Sequence, residues 1–195
     1  MEVMSPNETT TILDVGVTCD EEHSSANMLE RCYPYKHRIT CAGVEDASHL
    51  ENEFPGIKFV QIRPHQQLPF ADEEFEIVHS NAVVEHVGTR QQQTEFIEEL
   101  CRVGKQVFIV VPNRLFPVEH HTALPFLHYL PNRIFRFIAK FLGFTFWSTE
   151  EHLNLFYPWE LAKWFPQDNT PKIIFRGIGL GFFKSNVVAY FKNST

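Results

Sequence analysis

The run Thr10-Thr11-Ile12-Leu13-Asp14-Val15-Gly16-Val17-Thr18 reads as a buried strand that stops at a glycine. Apolar residues flank a single carboxylate and lead straight into Gly16, and a helix-compatible segment, Ser25 to Cys32, follows. Strand, sharp turn and helix form the entry to a nucleotide or cofactor pocket in open α/β sheets. A glycine at that turn lets the backbone approach a ligand closely, because no Cβ intervenes. Val17, Thr18 and Cys19 stand where further glycines would complete a dinucleotide fingerprint. The same stretch is therefore also compatible with a plain core strand and a tight exit.

The rest of the chain supplies strands and helices in alternation. Arg38 to Gly43 reads as a second strand, ending in Gly43-Val44-Glu45-Asp46. A carboxylate at this point can accept both hydroxyl hydrogens of a ribose. An acid here also favours the start of a helix over Ala47 to Glu51, so Glu45 suits the ribose and Asp46 the cap. Ile57 to Ile62 is a third strand, Leu68 to Asp72 a turn, and Phe75 to Ser80 a fourth strand. Thr89 and Gln92 have capping-box spacing before a helix that carries Phe96, Ile97, Leu100 and Val103 on one face. Lys105 to Val111 is a fifth, almost wholly apolar strand, and Lys172 to Gly177 and Asn186 to Phe191 are the last two. This alternation predicts an α/β fold with a doubly wound, mostly parallel seven-stranded Rossmann-like sheet, a final antiparallel hairpin and a helical insert at about 113–149. At 195 residues the chain fits a single domain.

Composition narrows the function classes. A formal charge of −7 argues against a nucleic-acid binder, which carries a basic face. The four cysteines form no CxxC pair and read as core residues of a reduced, cytoplasmic protein. The first residues are polar and acidic, without a signal-peptide pattern, and no apolar run reaches the roughly 20 residues of a membrane-spanning helix.

Four pieces in order resemble the class I S-adenosylmethionine-dependent methyltransferases, most closely their small-molecule type 11 branch. They are Ile12-Leu13-Asp14-Val15-Gly16, Gly43-Val44-Glu45-Asp46, the run Leu68-Pro69-Phe70-Ala71-Asp72-Glu73-Glu74-Phe75-Glu76-Ile77-Val78, and Val84-Glu85-His86-Val87. The third is the most specific, and the late segment from His152 through Phe156 to Phe165 agrees with it. The resemblance implies that S-adenosyl-L-methionine is the cofactor. Asp14, Gly16, Val17 and Thr18 would cradle its methionine end, with Glu45 on the ribose and Asp46 beside it. Asn81 and Ala82 would lie next to the sulfonium. The acid that the family places after the third strand is missing, and Gln66 or Gln67 is able to meet an adenine edge there. In-line methyl transfer asks mainly for positioning. A catalytically inactive, methyltransferase-like binding or regulatory module is the alternative. An NAD-type dehydrogenase fails for want of G-x-G-x-x-G.

His86, after the fourth strand, and His120 and His121, in the insert, are the candidate general bases, because imidazole titrates near neutrality. Adjacent histidines do not readily reach one ion from a helix, and Glu119-His120-His121 with His128 has no second ligand set at metal spacing, so no metal is expected. Asn132 to Trp147 reads as an amphipathic helix, with Arg133, Arg136 and Lys140 on one side of an apolar body. It is either a lid packed on the domain or an interfacial helix touching an anionic membrane or a lipid-like acceptor.

Overall fold

The computed structural model describes residues 2–19 and 27–192. Seven strands form one sheet: β1 (Ile12–Val15), β2 (Ile39–Gly43), β3 (Lys58–Gln61), β4 (Ile77–Asn81), β5 (Val107–Pro112), β6 (Lys172–Leu180) and β7 (Phe183–Phe191), in the order β3-β2-β1-β4-β5-β7-β6. β1 pairs in parallel with both β2 and β4, and β2 in parallel with β3, whereas β6 and β7 form the antiparallel hairpin. All four residues of β1 are buried, as expected for a strand covered on both faces. The first helix, α1 (Met28–Cys32), is shorter than the sequence suggests, and the start of that expectation, at Ser25, lies outside the described residues.

By contact density the chain divides into two compact units, 1–81 with 99–108 and 191–195, and 82–98 with 109–190. The first holds β1 to β4, α1 and α2 (Leu50–Glu53). Its chain runs outward from β1 through β2 to β3, then crosses back to β4 on the other side of β1. The carboxyl ends of β1 and β4 therefore flank a topological switch point, the place where open α/β sheets bind ligands.

The stretch most specific to the family turns out to be a clamp. Arg102, in the last turn of α3 (Arg90–Val103), donates to the carbonyls of Leu68 and Phe70, to Asp72 at 2.7 Å and to Glu99 at 2.6 Å. Glu99 in turn accepts the Leu68 amide at 2.8 Å. The Leu68–Asp72 turn is thus tied to the last turn of α3. At the other end of α3 the expected capping box forms: the Thr89 amide donates to Gln92 Oε1 at 2.8 Å, and the Gln92 amide to Thr89 Oγ1 at 3.3 Å.

In the second unit the insert folds as α4 (Asn132–Phe141) flanked by short 3-10 turns at Leu127–Tyr129 and Phe146–Ser148. The helix ends well before Trp147, at Gly143, whose φ of +92° breaks helical geometry. Phe135 and Ala139 are its buried residues and pack with Leu153 and Leu155. Phe137 is 73% exposed and Phe141 83%. Phe137 therefore lies outside the core, and truncating it would open no cavity. The late segment forms α5 (Pro158–Leu161), followed by a 3-10 turn at Ala162–Trp164.

Candidate active site

In the first unit, the chain leaving β1 turns at Gly16, which is exposed and has φ of +102°, a conformation that L side chains resist. The amides of Gly16 and Val17 both donate to the carbonyl of Ala42, at 2.8 and 3.4 Å, so the exit loop of β1 lies against the end of β2. That approach needs Gly43, where a Cβ would stand 3.0 Å from the Val17 carbonyl oxygen. Asn27 then ties down Thr18, accepting its amide proton at 3.2 Å and donating to its carbonyl at 2.9 Å.

Glu45 is exposed just beyond β2, and its Oε2 accepts from Cys19 Sγ at 2.9 Å. Gly16, Val17, Thr18 and Glu45 are thus gathered at the carboxyl ends of β1 and β2. Asp46 is occupied differently. Its Oδ1 accepts the Ser48 amide at 3.0 Å, which lowers its pKa and closes a turn ahead of α2. Gln66 is exposed in the segment after β3, and Asn81 and Ala82 are exposed at the end of β4. Ala82 has φ of +56°, an unusual conformation for a residue with a Cβ.

Asp14 is engaged with a neighbouring strand. It is 6% exposed, and its Oδ1 lies 2.8 Å from His79 Nδ1. Cys41, Asp14 and His79 are register partners across β2, β1 and β4, and each is the third residue of its strand. Glu30, from α1, is fully buried and accepts from Cys41 Sγ at 3.1 Å. Burial and the neighbouring Asp14 charge push the Glu30 pKa from 4.5 to about 8. Its Oε2 has no hydrogen-bond partner, and an uncompensated buried charge there is avoided when the carboxyl is protonated. Burial pulls His79 down, yet the Asp14 charge and hydrogen bond outweigh it, and the imidazole pKa rises.

In the second unit the structure brings His86 and His121 together and leaves His120 apart. His86 ends the 3-10 turn Val84–His86, and its Nε2 lies 3.1 Å from His121 Nε2. His120 is exposed, edge-on to Phe116. Burial, opposed mainly by the His152 carbonyl, lowers the His86 pKa to about 4. Burial also raises neighbouring Glu85 to about 7. Burial works to raise Glu119 as well, but hydrogen bonds from His121 and Thr122 bring it down to about 2. The loop carrying Glu85 and His86 is held from one segment. The Asn154 amide donates to the Glu85 carbonyl at 2.8 Å, and Asn154 Nδ2 donates to the Gly88 carbonyl at 2.8 Å.

The sheet order, the antiparallel hairpin and the glycine turn at the switch point define a class I methyltransferase fold. Residues 17–109 match the family model described as "Methyltransferase domain". The family match, over a little less than half of the chain, and the fold agree with the S-adenosylmethionine-dependent methyltransferases, whose cofactor is S-adenosyl-L-methionine. No curated protein matches the chain in sequence. Among solved structures, a SAM-dependent methyltransferase from Aquifex aeolicus superposes with a TM-score of 0.54 at 14% identity, over 98% of this chain and 87% of that one. A second, from Methanosarcina mazei, gives 0.58 at 16% identity, over 95% and 92%. Magnesium protoporphyrin IX methyltransferase from Synechocystis, with bound SAH, gives 0.57 at 12% identity, over 96% and 76%. At these identities the likenesses speak for the fold.

Proposed function

We propose that the chain transfers a methyl group from S-adenosylmethionine to a small or lipid-like acceptor, with Gly16, Val17, Thr18 and Glu45 holding the cofactor. The observation that carries this reading is the cradle at the ends of β1 and β2, where an exposed glycine at φ +102° carries no Cβ and an exposed carboxylate, Glu45, follows β2. When bound, the cofactor supplies an electrophilic methyl on a sulfonium. Gly16 leaves room for the methionine end, and Glu45 accepts from the ribose hydroxyls. Gln66 offers an amide to the adenine, and Asn81 and Ala82 end β4 at the switch point. Asp14 serves by fixing β1 to β4 through His79. Calorimetric titration tests the assignment. Glu45→Ala should weaken S-adenosylmethionine binding by roughly 1.5–3 kcal/mol, the scale of a hydrogen bond to a charged group. Asp46→Ala should weaken it less, and equal affinity of wild type and Glu45→Ala would remove the ribose assignment.

The lipid-like end of the acceptor range, with peripheral membrane contact, is supported by α4. Ile134, Phe137 and Phe141 are exposed at i, i+3 and i+7 on a helix whose Arg133 and Lys140 are also exposed, in a protein of charge −7. Such a face suits an anionic lipid surface. The chain should co-sediment with anionic vesicles at low salt and release as salt rises, each basic residue contributing about 1 kcal/mol. Arg133→Gln with Lys140→Gln should abolish this. Arg136→Gln should matter less, because Arg136 already lies 3.7 Å from Glu150. Failure to sediment at any salt would leave α4 as a lid alone. Among the described residues no helix is long and apolar enough to cross a membrane.

A further inference from the structure

The two imidazoles that meet in the second unit have a proton problem. His86 Nδ1 lies 2.5 Å from the carbonyl oxygen of His152, which can only accept, so this nitrogen carries the hydrogen. His121 Nδ1 lies 2.7 Å from Glu119 Oε1. Glu119 also accepts the amides of His121 and Thr122 and the Thr122 hydroxyl, so it is an acceptor and His121 Nδ1 again carries the hydrogen. With both Nδ1 atoms protonated, two neutral rings turn their Nε2 lone pairs toward each other at 3.1 Å. Lone pairs at that distance repel unless a proton or a cation stands between them.

Glu85 decides which. Its side chain is 1% exposed, and neither carboxylate oxygen has a hydrogen-bond partner. Its Oε1 lies 3.9 Å from His86 Nε2, too far for a hydrogen bond. A proton shared by the two rings would leave both Glu85 oxygens unsatisfied in a buried place, which is costly. A metal ion satisfies the rings and the carboxylate together. The three donor atoms lie within 4.8 Å of one another. Two nitrogens each at a zinc–nitrogen distance of about 2.0–2.1 Å and a tetrahedral angle would be about 3.3 Å apart, close to the separation seen here.

We propose that Glu85, His86 and His121 bind a divalent transition-metal ion of the zinc class, in a site independent of the methyl-transfer reading. Two imidazoles and one carboxylate are a ligand set that leaves a coordination position open, as at catalytic zinc and non-haem iron centres. The second layer has the form such sites require: Glu119 orients His121 through Nδ1, and the His152 carbonyl orients His86. Gln93 Nε2 donates to the carbonyls of Val84 and Asn154, at 2.9 and 3.0 Å, fixing the turn that carries two of the ligands. Trp147 walls the pair, with its ring 4.7 Å from His121 and 5.6 Å from His86. The His86 side chain is 30% exposed, so an ion can enter from solvent. The sequence hides this site because His86 and His121 belong to different loops, and neither Glu85-His86 nor Glu119-His120-His121 alone has metal spacing.

The test is metal titration of the whole chain after chelator treatment, using Zn²⁺ in calorimetry and Co²⁺ in visible absorption. One saturable Zn²⁺ per chain, and a Co²⁺ spectrum of low coordination number that Zn²⁺ displaces, are expected. His86→Ala and His121→Ala should each weaken binding at least about 100-fold, and Glu119→Gln by about 10–100-fold as an orienting residue. No saturable binding to the wild type would overturn the site, whatever the variants do. So would an unchanged Co²⁺ spectrum in a folded His86→Ala, His121→Ala double variant. Should the alanine variants fail to fold, Glu85→Gln keeps the packing, and full retention of Zn²⁺ affinity in it would likewise refute the ligand set.

Discussion

Gly16→Val is expected to leave S-adenosylmethionine binding undetectable in a calorimetric titration while the sheet still folds. Gly16 sits at φ of +102°, where a β-branched residue is strained by roughly 1–3 kcal/mol. Its amide is held to the Ala42 carbonyl at 2.8 Å, so the turn cannot relieve the strain without giving up its contact with β2. The new side chain would also fill the surface on which the methionine end of the cofactor is proposed to lie. Ile12, Leu13 and Val15 remain buried in the variant, so a cooperative unfolding transition should survive at lower denaturant. Gly16→Ala should fall between the two proteins. Retained binding in folded Gly16→Val would put the cofactor elsewhere and remove the cradle from the account.

Much of this fold is written in local pattern. β1 is legible because apolar residues surround one carboxylate and end on a glycine, and the Thr89–Gln92 box announces α3 in the sequence and forms as announced. The run from Leu68 to Val78 is recognisable as a family trait, but its physical role is the Arg102 clamp, which lies about thirty residues downstream and carries no local sign. Other features depend on which face or loop meets which. The body of α4 is apolar on several sides, so periodicity does not tell that Phe135 turns inward while Phe137 turns out. His86 and His121 meet only because separate loops converge, a geometry that spacing does not encode. The polar row of Cys41, Asp14 and His79 was open to detection, since each is the third residue of a parallel strand, yet Glu30 was hidden on a helix too short to show a face.

That buried row leads to the second large effect: Glu30→Gln should flatten the pH dependence of stability. Glu30 has a pKa of about 8 in the folded chain against 4.5 ordinarily, because burial and the Asp14 charge oppose its ionisation. The folded state therefore holds a proton that the unfolded chain releases between these values, and stability falls as pH rises through that window. The contribution is intact below about pH 4.5 and lost above about pH 8, and it amounts to something on the order of 3–5 kcal/mol. Glutamine keeps the shape, can accept from Cys41 and can donate to Asp14, but has no proton to lose. Urea unfolding at about pH 5 should give similar midpoints for the two proteins, and at about pH 8.5 the variant should be clearly more stable. A shallower slope should persist in Glu30→Gln, because His79 also binds its proton more tightly when folded and its share is lost as pH rises above the imidazole range. Parallel pH profiles would mean that Glu30 is ionised in the folded chain, and the account of a neutral buried carboxyl beside Asp14 would fall.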